Sequence, residues 1–251
     1  MIDNINNDYL DTVDQHCGIA IFLCDLTGVM AEPWLEAGYD CWLIDPQHGE
    51  DFHKGRLHKL AATIEQAKDK IGSLVRTGRV VFVAGFPPCT DVAVSGARWF
   101  EEKRAKDRHF QAKAAIVAEQ CRVIGWLSGA PWMFENPVSV FSSIFGRPDH
   151  TFHPWHFTGF EPHDNYTKQT CLWTGGGFVM PDMLADGSLG EPDNRIHSCP
   201  PSEERANIRS ATPRGFAKAV FQANAPHLKF LRSLRSETKL DDQADLFEEM
   251  A

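Results

Sequence analysis

Two short segments carry residue types that could perform covalent chemistry. Phe86-Pro87-Pro88-Cys89 follows an apolar run, Val80 to Ala84, and supplies a thiol where a buried strand ends. Phe134-Glu135-Asn136-Pro137 ends the next apolar strand along the chain. Because α/β folds place their chemistry at the carboxyl ends of parallel strands, we expect the two segments to lie side by side. Cys89 is then a candidate nucleophile.

A second pair of segments has the residue types of a nucleotide site. Asp25-Leu26-Thr27-Gly28 follows the first apolar run and contains a glycine turn that lets a ligand approach the backbone. Asp45 ends the second run, where a carboxylate would accept hydrogen bonds from ribose hydroxyls. The G-x-G-x-x-G motif of dinucleotide sites is absent. The pattern therefore favours an adenosine ligand without a pyrophosphate over nicotinamide and flavin cofactors.

The elements that must position these residues alternate between strand and helix patterns. We expect strands over Gly18 to Cys24, Cys41 to Asp45, Val80 to Ala84 and Trp132 to Glu135, and helices over Ala31 to Ala37, Arg56 to Val75 and His109 to Leu127. This alternation predicts a doubly wound, mostly parallel sheet. A last helix is expected over Pro213 to Ala223, with Thr212 as its N-cap.

Composition indicates one large α/β domain with at most a small appendage, because the chain has 251 residues of which 43% are hydrophobic. The seven cysteines include no C-x-x-C pair, which predicts reduced thiols rather than disulfides or a thiolate zinc site. No apolar run could cross a bilayer, and the first 15 residues are too polar for a signal peptide. We therefore expect a cytoplasmic protein with no membrane partner.

The net charge of −9 is unevenly distributed along the chain. Residues 1–16 carry −4 and residues 225–251 carry −2, which leaves −3 for the body. This balance excludes a globally positive nucleic-acid binder and leaves room for a local basic cleft. The acidic ends, 1–16 and 236–251, are predicted to be flexible.

The order of these motifs resembles that of the S-adenosylmethionine-dependent DNA cytosine-5 methyltransferases, most closely the short phage-encoded members. Gly85-Phe86-Pro87-Pro88-Cys89 is similar to the family's Pro-Cys nucleophile motif, and Glu135-Asn136-Pro137 to its Glu-Asn-Val motif. Supporting likenesses are Asp107-Arg108, Pro154 to Phe157, Thr167 to Trp173 and Ser210 to Ala217. The resemblance implies a Rossmann-like class I methyltransferase domain over 17–173 and 210–224, with a small irregular appendage at 174–209 as a reduced target-recognition insert.

The resemblance also implies the reaction and its residues. Cytosine C5 becomes nucleophilic only after a thiolate adds at C6 while an acid hydrogen-bonds N3; Cys89 and Glu135 would take these roles. A turn at the head of a helix would lower the thiol pKa. S-adenosylmethionine would be held by Asp25, Leu26, Thr27, Gly28, Asp45, Pro87 and Asn224. The cytosine nucleotide, most simply in DNA, would meet Pro88, Asn136, Arg98, Lys168 and Thr170. A phage-encoded enzyme would act in the host cytoplasm.

Three departures from the family pattern bear on the substrate. Lys168 and Thr170 stand where the family carries an Arg-x-Arg pair, and Val80-Val81 where an aspartate often binds adenine. Only 38 residues separate Trp173 from Thr212, fewer than in the usual target-recognition domain. The sequence selectivity is therefore low or supplied by a partner, or the substrate is a free nucleotide such as dCMP. The basic stretch from Arg98 to Arg108 fits two interpretations equally well, a loop that closes over the substrate or the solvated start of a helix.

Other functions are weighed against this one. Amino-methyltransferases place an aromatic residue after the prolines, and Cys89 cannot stack on a base in that way. A non-catalytic cofactor- or nucleic-acid-binding module is a second alternative. A metal-binding structural protein is a third, but the spacing of His150, His153, His156 and His163 fits no common zinc site, so no metal is predicted. The sequence leaves the oligomeric state open.

Overall fold

An eight-stranded mixed sheet organises residues 18–200 and 205–228, the part of the chain described by this computed structural model. The strands are β1 (Ile19–Leu23), β2 (Asp40–Ile44), β3 (Phe52–Lys54), β4 (Leu57–Leu60), β5 (Val80–Gly85), β6 (Trp132–Pro137), β7 (His150–Phe152) and β8 (Thr170–Gly175). Their order is β3-β4-β2-β1-β5-β6-β8-β7. Strands β4, β2, β1, β5 and β6 are parallel, while β3 and β8 run antiparallel to their neighbours.

Helices cover both faces of this sheet. They are α1 (Glu32–Glu36), α2 (Lys68–Arg76), α3 (Phe100–Lys106), α4 (Phe110–Ser128), α5 (Phe141–Ile144), α6 (Arg195–Ser198), α7 (Arg205–Ser210) and α8 (Arg214–Asn224). Within the described ranges, no helix is long and apolar enough to span a membrane. The predicted α/β class with a mostly parallel sheet is confirmed. The acidic ends at 1–16 and 236–251 lie outside the described residues.

Alternating strand residues divide the core into two layers. On one face, Leu23, Val83 and Phe134 pack with the buried sides of α2 and α4. On the other face, Phe22, Phe82 and Met133 pack with Trp34 of α1 and with residues of α8. The parallel strands are therefore buried on both sides, which is why their sequences read as continuous apolar runs.

The helix predicted over Arg56 to Val75 is wrong in its first half. Leu57–Leu60 forms β4, which pairs in parallel with β2 and antiparallel with β3. Gly55 lies in the turn between β3 and β4 with a φ of 57°, a conformation that glycine adopts without strain. The helix α2 begins only at Lys68. Pairing with the open edge of β2 outweighs the helical spacing of the apolar residues.

The expected N-cap of the last helix is also wrong. Helix α8 begins at Arg214, after Pro213, and no side chain of the preceding residue caps it. Instead, the Asp164 carboxylate accepts a hydrogen bond from the Gly215 amide at 2.7 Å. A Cβ at position 215 would lie 2.5 Å from the Phe157 carbonyl oxygen, so glycine permits this close approach. A residue 51 positions earlier thus performs the role that local sequence assigned to Thr212.

Candidate active site

The thiol and carboxyl segments lie at the ends of two adjacent parallel strands, as predicted. Strands β5 and β6 pair with Gly85 opposite Phe134, and the Asn136 side-chain amide donates to the Pro87 carbonyl oxygen at 2.9 Å. The loops beyond them are joined through backbone hydrogen bonds from Val94 to Val138 (2.9 Å) and from Val140 to Val92 (3.1 Å). The chain after Cys89 is therefore held against the chain after Glu135.

Glu135 presents a buried carboxyl oxygen that lacks a partner. Its Oε2 atom is sealed from solvent and accepts no hydrogen bond from any described residue. Burial raises the pKa of Glu135, and the nearby Lys168 ammonium opposes this shift. A carboxyl group that retains its proton more readily than usual can donate a hydrogen bond to a ring nitrogen. Glu135 is therefore chemically suited to act as an acid.

Cys89 is half-buried, and its pKa is raised rather than lowered. Burial is the main cause and the charge of Glu135 the next, while the cations of Lys168 and Arg209 oppose both. The prediction of a helix at this thiol is wrong: the amides of Val92 and Ala93 donate to the Cys89 carbonyl oxygen in a tight turn. Because no described helix begins at the sulfur, no helix-end amides lower the thiol pKa there, and desolvation raises it.

Lys168 and Thr170 are buried beside this pair, but their polar groups are already bonded. The Lys168 ammonium donates to the carbonyl oxygens of Ala211 (3.2 Å) and Ser210 (3.4 Å). The Thr170 hydroxyl donates to the Lys168 carbonyl oxygen at 3.3 Å. Lys168 therefore acts on Cys89 and Glu135 through its charge, and its two contacts attach the end of α7 to the site.

The predicted cofactor segments meet at the neighbouring strand ends. Leu23 of β1 lies opposite Ile44 of β2; Asp45 comes one residue after this pair and Asp25 two residues after it. One Asp25 oxygen accepts from the Gly28 amide (2.7 Å) and the Thr27 hydroxyl (3.2 Å). The other oxygen is buried and has no partner among the described residues. Burial, with the Asp45 charge adding to it, raises the pKa of Asp25 to about 6.

Two residues of this edge were missed in the sequence. Cys24 has a φ of 57°, the one positive value at a non-glycine residue in the described ranges, and it turns the chain immediately before Asp25. His48 follows Asp45 in a short 3-10 helix, Pro46–His48, and its Nε2 atom is buried without a hydrogen-bond partner in the described structure. Burial lowers the pKa of His48. In the sequence, the one indication that His48 belongs to this edge is that it lies three residues after Asp45, which ends the second predicted strand.

Several other residues predicted to bind the cofactor or substrate differ in how they are placed. Asn224 is fully buried, and its amide bonds the Val179 backbone in both directions (2.8 and 2.9 Å) and the Val220 carbonyl oxygen (3.0 Å). These bonds occupy the side-chain amide within the protein, and cofactor binding by Asn224 stays a prediction. Leu26 is half-buried, Pro87 is buried, and Pro88 is exposed beside Cys89.

The basic stretch after the thiol is ordered by local contacts. Arg98 is exposed in a 3-10 helix, Val94–Trp99, with its guanidinium 5.0 Å from the Trp99 ring centre. The Lys103 ammonium donates to the Thr90 carbonyl oxygen and to Asp91, both at 2.7 Å. Much of this stretch is helix α3, bonded to the residues that follow Cys89, and the structure therefore favours the helix start over the loop.

Comparison of the chain with protein-family models and with curated proteins finds no match.

The histidine-rich segment serves a local structural purpose. The His153 amide donates to the His156 ring at 3.3 Å, and the two side chains cap the 3-10 helix Pro154–Phe157. Across residues 18–200 and 205–228, no three His, Cys, Asp or Glu side chains are grouped closely enough to hold a metal ion. The titratable groups at the strand ends described above include the Cys89 thiol, the Glu135 carboxyl group with its raised pKa, and the carboxylates of Asp25 and Asp45.

Proposed function

We propose that this protein transfers a methyl group from S-adenosylmethionine to C5 of cytosine through a covalent adduct between Cys89 and C6. The observation that carries the proposal is the unpartnered, buried Glu135 oxygen beside the Cys89 thiol, held by the bond from Asn136 to Pro87. The nucleophile and the acid lie at the ends of adjacent strands. This placement suits a reaction in which a thiol adds to a pyrimidine ring while an acid stabilises the charge that develops at N3.

The strand order supports the class I methyltransferase type of fold. Numbered along the chain, the five parallel strands lie in the order 3-2-1-4-5, with an antiparallel strand beyond the fifth. In doubly wound sheets, ligands bind outside the carboxyl ends at the point where the strand order reverses. Here that point lies between β1 and β5, the strands that lead to Asp25 and Cys89.

The cofactor edge fits a positively charged ligand. Asp25 has a buried oxygen with no partner in the described residues, and Asp45 adds a second carboxylate. S-adenosylmethionine would supply an electrophilic methyl group on a sulfonium centre. Asp45 would accept hydrogen bonds from the ribose, and the free Asp25 oxygen would bind the cationic part of the ligand.

In the proposed reaction, Cys89 would form and later break a bond to C6, and Glu135 would hydrogen-bond the ring at N3. Cys89 gives its proton to a water molecule and adds to C6, while Glu135 hydrogen-bonds N3 and stabilises the negative charge that the ring acquires. C5 would then take the methyl group with its nucleophilic electron pair as the bond from the methyl group to the sulfonium sulfur breaks, which leaves S-adenosylhomocysteine. A water molecule accepts the C5 proton, the C6–sulfur bond breaks, and Cys89 leaves as the thiolate. Glu135 retains its proton at the end of the cycle.

The substrate is a cytosine nucleotide, and two sources are compatible with it. In DNA the base must first leave the helical stack. The free nucleotide dCMP is favoured by the small insert and by the −3 charge of the body. A cofactor- or nucleic-acid-binding module without activity is the alternative function, but it gives no reason for an unpartnered acid beside a thiol.

The test is covalent trapping on 5-fluorocytosine. Fluorine cannot leave C5 as a cation, so the methylated adduct cannot break down. Wild-type protein with S-adenosylmethionine should gain the mass of substrate plus methyl, whether the substrate is duplex DNA, single-stranded DNA or 5-fluoro-dCMP. The mass spectrum of each mixture identifies which of these it accepts.

Cys89→Ala should lose trapping and turnover while S-adenosylhomocysteine still raises its melting temperature. Cys199→Ala removes another partly exposed thiol and should behave like wild type. Full activity in Cys89→Ala would overturn the carbon-methylation mechanism.

A further inference from the structure

The contacts of Lys168 leave open which group binds the substrate's phosphate. Lys168 is buried, and its ammonium is bonded to the carbonyl oxygens of Ser210 and Ala211. Those carbonyls belong to the end of α7 and the residue after it. Lys168 therefore fixes α7 beside Glu135 and Cys89, so the side chains on this helix become part of the surroundings of the thiol.

Helix α7 carries Arg205 and Arg209. Both guanidinium side chains are half-buried, and neither forms an ion pair with a described residue. Arg205 Nε is sealed from solvent and has no hydrogen-bond partner there. The charge of Arg209 acts on Cys89, where it lowers the thiol pKa against the effect of burial.

These two differ from every other described arginine. Arg56, which is equally half-buried, pairs with Asp40, and the remaining ones are exposed. Partly burying a guanidinium removes hydration that a counter-charge normally replaces. Residues four apart on a helix lie on the same side, about 6 Å apart at Cβ, so Arg205 and Arg209 can converge on one anion.

We propose that Arg209, with Arg205, binds the phosphate group of the target cytidine nucleotide. Guanidinium groups bind tetrahedral phosphate oxygens through paired N–H donors. The pair then performs the phosphate contact that Lys168 and Thr170 cannot make, because their own groups are bonded to the protein. The substrate class is thereby a cytidine phosphate, in a strand or as dCMP, rather than the nucleoside. The inference rests on the proposed function for the identity of the base.

The first experiment compares trapping of three ligands: 5-fluoro-dCMP, 5-fluoro-2′-deoxycytidine, and a single strand with one 5-fluorocytosine. Arg209→Gln should raise the concentration for half-maximal trapping of a phosphorylated ligand about tenfold, the worth of one charge-assisted hydrogen bond, and leave the nucleoside unchanged. Arg76→Gln, an exposed arginine on α2, is the matched control and should change neither. Loss confined to 5-fluoro-dCMP identifies the free nucleotide as the source, and loss confined to the strand identifies DNA.

The second experiment requires no reaction. Binding of a fluorescein-labelled oligothymidylate is measured by anisotropy at several salt concentrations. Each phosphate contact in a single strand contributes about 0.7 to the slope of log affinity against log salt, so Arg209→Gln should reduce the slope by about that amount. Arg76→Gln should not reduce it. Circular dichroism melting of each variant controls for folding.

The outcomes separate the two proposals. If wild-type protein traps no cytosine ligand but Arg209→Gln alone reduces the salt slope, the methylation proposal fails and the phosphate inference stands. If trapping occurs and Arg209→Gln equals wild type for all three ligands and in salt slope, the phosphate inference is overturned and the methylation proposal stands. A wild-type protein that traps nothing and binds no oligonucleotide overturns both.

Discussion

The two halves of the candidate site lie on neighbouring strands and have opposite electrostatic character. At the ends of β1 and β2, Asp25 and Asp45 form an acidic edge, and one Asp25 carboxylate oxygen there is buried without a partner among the described residues. Beside Cys89, at the end of β5, the charges acting on the thiol include the cations Lys168 and Arg209. Under the proposed function, this difference would let one sheet edge bind a cationic cofactor and an anionic nucleotide at separate places.

The same comparison separates two kinds of acid. Asp25 retains hydrogen bonds from Gly28 and Thr27 to one oxygen, and its pKa rises to about 6. Glu135 has the Lys168 ammonium nearby, yet burial still raises its pKa. Asp25 is ionised at neutral pH and suits a cation, whereas Glu135 is positioned to share its proton with a base.

The largest effect that would sharpen this contrast is expected from Glu135→Gln. The amide fills the same space and its N–H can still reach N3, but it is a far weaker acid than a carboxyl group and stabilises the developing charge less, so the rate of methylation should fall on the order of 100-fold. Single-turnover kinetics with labelled S-adenosylmethionine measures this directly. The affinity for S-adenosylhomocysteine should be unchanged, because Glu135 belongs to the substrate half.

A rate for Glu135→Gln within a few fold of wild type would remove the acid from the mechanism. Gln169→Glu, which adds a carboxylate at an exposed neighbouring position, tests whether a charge change alone alters the rate.

An intermediate effect is expected from Asp25→Asn, and it depends on pH. The ionised carboxylate binds the cationic ligand, so wild-type affinity for S-adenosylmethionine should rise as pH increases through about 6. Asp25→Asn should lose this dependence and bind roughly tenfold more weakly at pH 7.5, the worth of one charge-assisted hydrogen bond. Calorimetric titration at pH 5 and pH 7.5 measures both quantities.

The stability of the ligand-free protein should respond with the opposite sign. Because the folded-state pKa of Asp25 is above its ordinary value of 3.8, ionisation disfavours the folded state, and stability is lost as pH rises from about 4 to about 6. Asp25→Asn should lack this loss, whereas Asp182→Asn, an exposed control, should retain it. Identical melting profiles for Asp25→Asn and wild type would refute the assignment of a buried, ionisable Asp25.

The smallest effect is expected from Arg98→Ala combined with Arg104→Ala. Both side chains are exposed, and the Arg98 guanidinium packs on the Trp99 ring. The Michaelis constant should rise by about two- to threefold, with a slightly flatter salt dependence, as surface charges contribute little. Steady-state assays at two salt concentrations suffice. If the Michaelis constant rises as much as in Arg209→Gln, the phosphate contact would have to be assigned to the Arg98–Arg104 stretch.

The sequence predicted what contiguous residues determine. The apolar runs leading to Asp25 and Cys89 are strands β1 and β5, and their neighbours follow from the α/β alternation. The sequence could not predict contacts between distant segments. Examples are the hydrogen bond from the Gly215 amide to Asp164 and the bond from Lys168 to the carbonyl oxygen of Ala211, 43 residues later in the chain. Leu57–Leu60 likewise became a strand because β2 offered an open edge.

The contact of Lys168 with Ala211 has a consequence for the segment between β8 and α8. The chain departs at Gly175 and returns at 210–211, where Lys168 holds it two residues before β8 begins, and the Thr167 amide also bonds the Asp193 carbonyl oxygen (2.8 Å). Exit and return are thus anchored to one strand. Because doubling a loop's length costs only about 0.6 kcal/mol in closure entropy, we expect the exposed positions of this segment to accept insertions, whereas bonded positions such as Val179 and Asp193 are constrained. Such a change of length would leave the Cys89 thiol, the Glu135 carboxyl group and the pairing of β5 with β6 in place.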